Sequence, residues 1–140
     1  MFYGEYSHSL DGKNRFRLPK QLKNSTEFVI TKGNEGCLFV FEKAYFNTTF
    51  AKGLESVPTF DVDAQKVLRL FLSSCHEVSE DNQGRLLLPA SLKEYAKISK
   101  DIVLLGVGNR VEIWAKEKWE KYSASSNFDE LSASLKNYSL

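Results

Sequence analysis

The sequence is short of the residues that mark specialised chains. It holds two cysteines, three prolines and one methionine in 140 residues. Two cysteines make no disulfide framework, and with no export signal Cys37 and Cys75 read as reduced thiols of a cytoplasmic protein. The N-terminus, Met1 to Leu10, is too polar for a secretory leader. The longest apolar run, Cys37 to Phe41, has five residues, against the roughly 18 that a membrane helix needs. Neither sign of charge dominates: nineteen Lys and Arg stand against eighteen Asp and Glu, for a net charge of +1. That balance excludes a chain basic throughout, but not a local basic patch. There is no G-x-S-x-G, H-E-x-x-H or Walker motif, and no C-x-x-C or H-x-x-x-H spacing. The expectation is a non-enzyme with no metal, no cofactor, no membrane association and no small-molecule substrate.

What is present suits one globular domain. The hydrophobic fraction is 42% and the charged fraction 26%, ordinary values for a folded chain. A chain of this length buries about two thirds of the surface it would expose unfolded, enough for a core without staples.

The main feature is a repeat. Asp11 to Lys23 and Asp81 to Lys93 lie 70 residues apart and are identical at six of thirteen positions: Asp, Arg, Leu, Pro, Leu and Lys. Downstream, Phe28-Val29-Ile30 corresponds to Ile102-Val103-Leu104, Leu38 to Phe41 corresponds to Val111 to Trp114, and Phe46 falls opposite Trp119. Two copies are too few for a solenoid but enough for a pseudo-twofold domain with one shared core.

Each copy predicts the same elements. A polar turn, Gly12-Lys13-Asn14 or Asn82-Gln83-Gly84, joins two short strands, using the residue types that tolerate positive φ. Pro19 and Pro89 open short helices over Lys20 to Lys23 and Ala90 to Lys97. Hairpins follow: Phe28–Thr31 with Cys37–Phe41, and Ile102–Leu105 with Val111–Trp114. Helices come next, near Lys43 to Leu54 and Lys116 to Tyr122. Between the copies, Ala64, Val67, Leu68 and Phe71 sit at i, i+3, i+4 and i+7 of a helix over Asp61 to Ser73. Leu70 and Leu72 widen its apolar face, which predicts burial on more than one side. Phe128, Leu131 and Leu135 predict one apolar stripe after the linker-like Ser123-Ala124-Ser125-Ser126.

The Asp-x-x-x-Arg turns carry the candidate chemistry. A purely structural turn, with Asp bonded to local backbone and Arg paired to a carboxylate, accounts for Asp11 and Asp81. It accounts less well for Lys13 and Arg17 on either side of Arg15. Residues 5–23 carry five cations against two carboxylates, a net +3, whereas residues 75–93 carry two against three, a net −1. An exposed turn of Lys, Arg and Asn can enter a DNA groove, where Arg forks onto guanine and Lys neutralises phosphate. Gly106 to Arg110 faintly suggests a phosphate loop, but strand-like residues follow instead of a helix, so a hairpin turn is expected. Cys75 and His76 could serve a small cytosolic enzyme. As strand neighbours they would face opposite sides, so a thiol site would need convergence in space. The aromatics Phe39, Phe41, Phe46, Phe71, Trp114 and Trp119 read as core.

The run Gly4 to Asp11, the Asp-x-Lys-x-Arg motif at Asp11 to Arg15, the Asp-x-Gln-Gly-Arg motif at Asp81 to Arg85 and the ending Val103 to Trp114 together resemble the MraZ family of bacterial transcription regulators, within the SpoVT/AbrB-like superfamily. The resemblance covers about Met1 to Tyr122. It implies an α+β, β-rich fold: two tandem AbrB-like repeats, 5–54 and 75–122, form a pseudo-twofold swapped-hairpin, double-split β-barrel with short flanking helices. Residues 55–74 form a connecting helix and 123–140 a C-terminal tail. It implies a ring-shaped homo-oligomer, nucleoid-associated, bound to double-stranded promoter DNA at short repeated elements upstream of the division and cell-wall gene cluster. By motif position Lys13 and Arg15 contact DNA, with Asn14 and Arg17 as neighbours and Arg85 as the second-copy equivalent. Asn14 stands where the family's first motif has glycine. The alternatives are an AbrB-like antitoxin module that binds DNA and caps a protein partner through its tail, the Cys75/His76 enzyme, and a structural ring with no nucleic-acid role.

Overall fold

Eight strands and a set of short helices follow one another in the order that the repeat predicts. The computed structural model describes residues 1–139. The first copy supplies β1 (Phe2–Ser9), β2 (Arg15–Phe16), β3 (Glu27–Lys32) and β4 (Leu38–Glu42). The second supplies β5 (His76–Ser79), β6 (Leu86–Leu87), β7 (Asp101–Gly108) and β8 (Val111–Ala115). A helical segment follows β4: α1 (Lys43–Tyr45), a π-helical turn (Phe46–Phe50) and α2 (Ala51–Glu55). The remaining α-helices are α3 (Val62–Ser73), α4 (Ala90–Tyr95), α5 (Lys116–Ala124) and α6 (Phe128–Leu131), with 3₁₀ segments at Lys20–Leu22 and Ser132–Asn137.

The strand pairing interlocks the copies. Six strands form one antiparallel sheet in the order β1-β7-β8-β4-β3-β5, and β2 and β6 form a separate ribbon. Each copy keeps its own hairpin, β3–β4 and β7–β8, but sends its first strand to the other copy. β1 pairs with β7 along its whole length, Phe2 with Gly108 through Ser9 with Asp101. β5 pairs with β3, Glu27 with Ser79 through Ile30 with His76. The two hairpins meet where β4 pairs with β8, Leu38 opposite Ile113. The β1–β7 contact is close at Gly106, where a Cβ would lie 2.3 Å from the Tyr3 nitrogen, so only glycine lets the strands meet there.

The core draws on both copies equally. Phe16, Leu18 and Leu22 and their counterparts Leu86, Leu88 and Leu92 are each at most 3% exposed, in one cluster with Ile30, Leu38, Ile102, Leu104 and Ile113. A smaller cluster joins Cys37, Val103, Leu105 and Trp114, with Phe39 and Trp119 packed against it. The aromatic correspondence holds in space: Phe46 lies 5.6 Å from Phe41, and Trp119 lies 5.3 Å from Trp114. Phe39, Phe41, Phe46, Phe71, Trp114 and Trp119 all lie buried or half-buried, as expected of core aromatics.

Three expectations need correction. The α3 helix forms as predicted, its N-terminus capped by the Asp61 carboxylate, which accepts from the Ala64 N–H. It is not buried on more than one side, however: Ala64, Leu68 and Phe71 are half-buried, whereas Val67 is 66% exposed and Leu70 56%. The helix touches the body chiefly at the end where Phe71 meets Phe50 at 5.9 Å. Periodicity reveals an apolar face but not what lies against it. The helix after Pro19 is only a 3₁₀ turn, Lys20–Leu22, and its counterpart stops at Tyr95. Lys97 carries φ 54°, a left-handed cap that ends the helical run. Finally, Cys75 precedes β5 instead of lying within it.

Because the leucines of both copies fill one cavity, Leu22→Ala and Leu92→Ala should each cost about 2–5 kcal/mol. Each variant should still unfold in a single cooperative urea transition. Two separable transitions would show that the copies fold independently.

Candidate nucleic-acid interface

The candidate interface is built from two turns with one hydrogen-bond pattern. In the first, Asp11 Oδ1 accepts from the backbone N–H groups of Lys13 and Arg15, both at 2.9 Å, and Oδ2 accepts from Arg15 Nε at 2.8 Å. In the second, Asp81 accepts from the N–H groups of Gln83 and Arg85 and from Arg85 Nε, all at 2.9 Å. The Asp11 N–H bonds the Arg15 carbonyl at 3.0 Å, and the Asn14 N–H bonds the Asp11 carbonyl at 3.0 Å. Asp81, Gly84 and Arg85 repeat both bonds at 2.9 Å. One carboxylate thus organises each turn, which is why Asp sits four residues before Arg in both copies.

The turn requires a left-handed residue at its third inner position. Gly84 supplies φ 75° and Asn14 φ 60°. Asparagine is among the few side chains enriched there, so the turn survives without glycine. Its amide also has a partner: Asn14 Oδ1 accepts from Lys93 Nζ at 2.9 Å, and its carbonyl accepts from the Leu88 N–H at 2.9 Å. The extra side chain is therefore tied to the second copy.

The arginines are held by one edge only. Arg15 and Arg85 each bond the aspartate through Nε, with side chains 26% and 22% exposed. Among the described residues, the terminal Nη groups of both have no hydrogen-bond partner. The local pairing expected of a structural turn is thus present, and it leaves the outward fork of each guanidinium unused. Planar, fixed and already neutralised on one side, that fork is suited to paired acceptors.

The ribbon places the turns side by side, with Arg15 opposite Leu87 and Phe16 opposite Leu86. Exposed Arg17 donates from Nε to the Gln83 carbonyl of the second turn at 3.0 Å. Lys13 is exposed and has no ion pair among the described residues. So the structure gathers Lys13, Asn14, Arg15, Arg17 and Arg85 on one double-headed ribbon. It gives Arg17 a bridging part, joining the copies. Sequence reasoning missed Lys93 and the Gln83 carbonyl as the groups that join the turns. Lys93 was detectable as the last identical position of the repeat; a backbone carbonyl leaves no sequence signal.

The remaining candidates do not come together. His76 Nδ1 lies 2.8 Å from the Ser74 carbonyl, and Cys75 Sγ lies 3.5 Å from the Phe71 carbonyl, so neither addresses the other. Burial pushes the Cys75 thiol up to about 11; burial and then the Glu112 charge push Cys37 up to about 12. Thiols so shifted carry little nucleophilic thiolate near neutral pH. Gly106 to Arg110 closes the β7–β8 hairpin, and Arg110 is tied to the Glu112 carboxylate at 2.8 Å. Among the described residues, no three His, Cys, Asp or Glu side chains could hold a metal, and no helix is long and apolar enough to cross a membrane.

Fold and site together define a class: a duplicated, strand-exchanged β-rich domain that presents two aspartate-tied arginine turns on a common ribbon. A family model described as "MraZ protein, putative antitoxin-like" matches residues 1–70 and again residues 71–138. The chain belongs to the MraZ family. Its relatives include proteins named transcriptional regulator MraZ. One from Clostridium beijerinckii is 46% identical over 96% of both chains, and one from Heliobacterium modesticaldum is 42% identical over the full length of both. One from Acetivibrio thermocellus is 43% identical over 91% of this chain and 90% of its own.

The Asp11 carboxyl is held down to about 2, chiefly by the Arg15 backbone N–H, then by the Lys13 N–H and the guanidinium, against opposing desolvation. Its ordinary value is 3.8. A depressed carboxyl lends the turn stability that is fully present above the ordinary value and lost as pH falls through the folded one. The Lys13 and Arg15 amide resonances should therefore keep their native shifts at pH 4 and lose them with a midpoint near pH 2. In Asp11→Asn they should be displaced at every pH. An unchanged Arg15 amide in that variant would show that the carboxylate does not organise the turn.

Proposed function

We propose that this chain is a DNA-binding regulator of transcription that contacts short repeated promoter elements through the turn of its first repeat. The observation that carries this reading is the Arg15 fork, fixed by Asp11 at Nε and left without a partner on its outer edge. The flanking charge supports it. Lys13 and Arg17 accompany Arg15, whereas Gln83 and Leu87 stand at the matching positions beside Arg85. A fixed guanidinium reads guanine and a mobile ammonium takes phosphate. Asn14 and Arg17 adjoin the contact, and Arg85 contributes from the second turn. The relatives' names agree with this role.

One turn supplies two or three cations, which gives a log–log salt slope of roughly −2 to −3 per subunit. Such weak contacts suit repeated elements met by several linked copies. We propose a ring-shaped homo-oligomer, supported by apolar surface that the single chain leaves open on α3 and on the tail at Leu131 and Leu135. On the family resemblance, the target is the promoter of the division and cell-wall gene cluster that includes this chain's own gene, and the protein is cytoplasmic and nucleoid-associated. The strand exchange supports a swapped-hairpin, double-split barrel in which 5–54 and 75–122 are the two AbrB-like repeats, 55–74 the connecting segment and 123–140 the tail. A second reading, an antitoxin-like module that caps a protein partner, is favoured by that tail, where Phe128 is 81% exposed.

Arg15→Ala should abolish specific binding to the chain's own promoter in a gel-shift titration, while Arg85→Ala weakens it less; equal losses would refute the assignment to the first turn. Light scattering without DNA should report a multiple of the 16.0 kDa chain mass. A stable monomer at micromolar concentration would refute the ring.

A further inference from the structure

A groove of about 720 Å³ lies between the α4–β7 connection and the start of α5. It is lined by five lysines, Lys97, Lys100, Lys116, Lys118 and Lys121. Three carboxylates share the lining, Asp101, Glu117 and Glu120, and Asp101 accepts from the Ser9 hydroxyl at 2.8 Å. Among the described residues none of the five lysines has a carboxylate within 4.0 Å. Lys118 donates to the Gly36 carbonyl at 3.3 Å; the other four are exposed. Lys97 stands at the left-handed cap after α4, φ 54°, a position that glycine or asparagine ordinarily takes.

The pseudo-twofold relation provides an internal control. Lys43 corresponds to Lys116, Glu27 to Asp101 and Glu77 to Ser7. In the first repeat Lys43 Nζ lies 3.2 Å from Glu77 and 4.0 Å from Glu27, and Glu42 accepts the Asn24 N–H at 3.0 Å. There, charge is compensated. In the second repeat Ser7 stands in place of Glu77, and among the described residues Lys116 has no carboxylate within 4.0 Å even though Asp101 holds the place of Glu27.

Position links this groove to the DNA-contacting turn. A smaller recess lined by Ser7, His8, Ser9, Asp101 and Lys116 adjoins it. The Leu10 N–H bonds the Lys100 carbonyl at 2.9 Å, and Leu10 is the residue before Asp11. The groove therefore opens at the root of the cationic first turn. The root of the second turn, near Ser79 and Glu80, is where the compensated Glu77–Lys43 and Lys23–Glu80 pairs lie.

We propose that the lysine groove takes the phosphodiester backbone of the duplex beside the element read by Arg15, as a sequence-independent clamp. This rests on the DNA-binding reading above. Lysine suits the task, being a flexible point charge that neutralises phosphate without reading bases. Each phosphate engaged adds about 0.9 to the magnitude of the salt slope.

The test is fluorescence anisotropy of the full chain on two duplexes, one recovered from genomic fragments by the protein and one of mixed sequence, across a KCl series. Wild type should show a slope per bound subunit steeper than the roughly −2 to −3 of the turn alone. K97Q/K100Q/K116Q/K121Q should lose about 2 to 4 of that slope. It should weaken both duplexes by the same factor and keep their affinity ratio. Arg15→Ala should collapse the ratio, and Lys43→Gln should change neither quantity. Should the fourfold variant unfold earlier in urea than wild type, K100Q/K116Q provides the same comparison with a smaller change. An unchanged slope, or a collapsed ratio in the lysine variants, overturns the clamp while leaving the turn assignment standing. Wild type that binds neither duplex overturns the functional reading and the clamp with it.

Discussion

Everything in this molecule depends on the exchange of first strands between two copies of one unit. β1 pairs only with β7, and β5 only with β3. Each first strand runs directly into its turn, so the exchange also dictates where the turns emerge, next to each other on the β2–β6 ribbon. With Phe16, Leu18 and Leu22 packed in one cluster with Leu86, Leu88 and Leu92, neither copy holds a core of its own. The arginine turns thus ride on the best-buried part of the protein, and their rigidity follows from that core as well as from their own hydrogen bonds.

On this symmetric frame the chemistry is asymmetric. The turns share one hydrogen-bond pattern and one sequence of exposed and buried positions, yet their side chains differ where solvent is met: Lys13 against Gln83, Arg17 against Leu87. Backbone geometry needs only the aspartate, the left-handed residue and the arginine. The other positions are free to differ, and they carry the charge difference. The same holds at the turn roots, where Lys43 is paired and Lys116 is not. Duplication supplies two equivalent scaffolds, and surface substitution makes one of them cationic without altering the fold.

The repeat, the hairpins and the local turn chemistry were legible because each depends on near neighbours. Asp four residues before Arg implies a carboxylate within reach of the turn's own N–H groups. Short unbroken apolar runs, buried on both faces, announce β3 and β7 as strands. The partners of β1 and β5 were not legible, since strands of similar composition carry no label for the strands they pair with. The α3 helix shows the limit most clearly. Its i, i+3, i+4, i+7 pattern correctly gave a helix, whereas Leu70 and Leu72 wrongly gave burial on more than one side, because a hydrophobic stripe records an affinity and not an occupant. Arg17 shows the same limit: its sequence position made it a neighbour of Arg15, and only the ribbon brings its Nε against the Gln83 carbonyl.

The amino-acid order by itself determined the duplicated unit, the two aspartate-tied turns and the cationic bias of the first, since these depend on residues a few positions apart and on net charge. Only the tertiary structure decided that Asn14 is anchored to Lys93, that Arg17 reaches the Gln83 carbonyl, and that five lysines remote in sequence from Arg15 line a groove at its root. Those outcomes require segments some seventy or more residues apart to meet, and the exchange that brings them together is a property of the whole packed core.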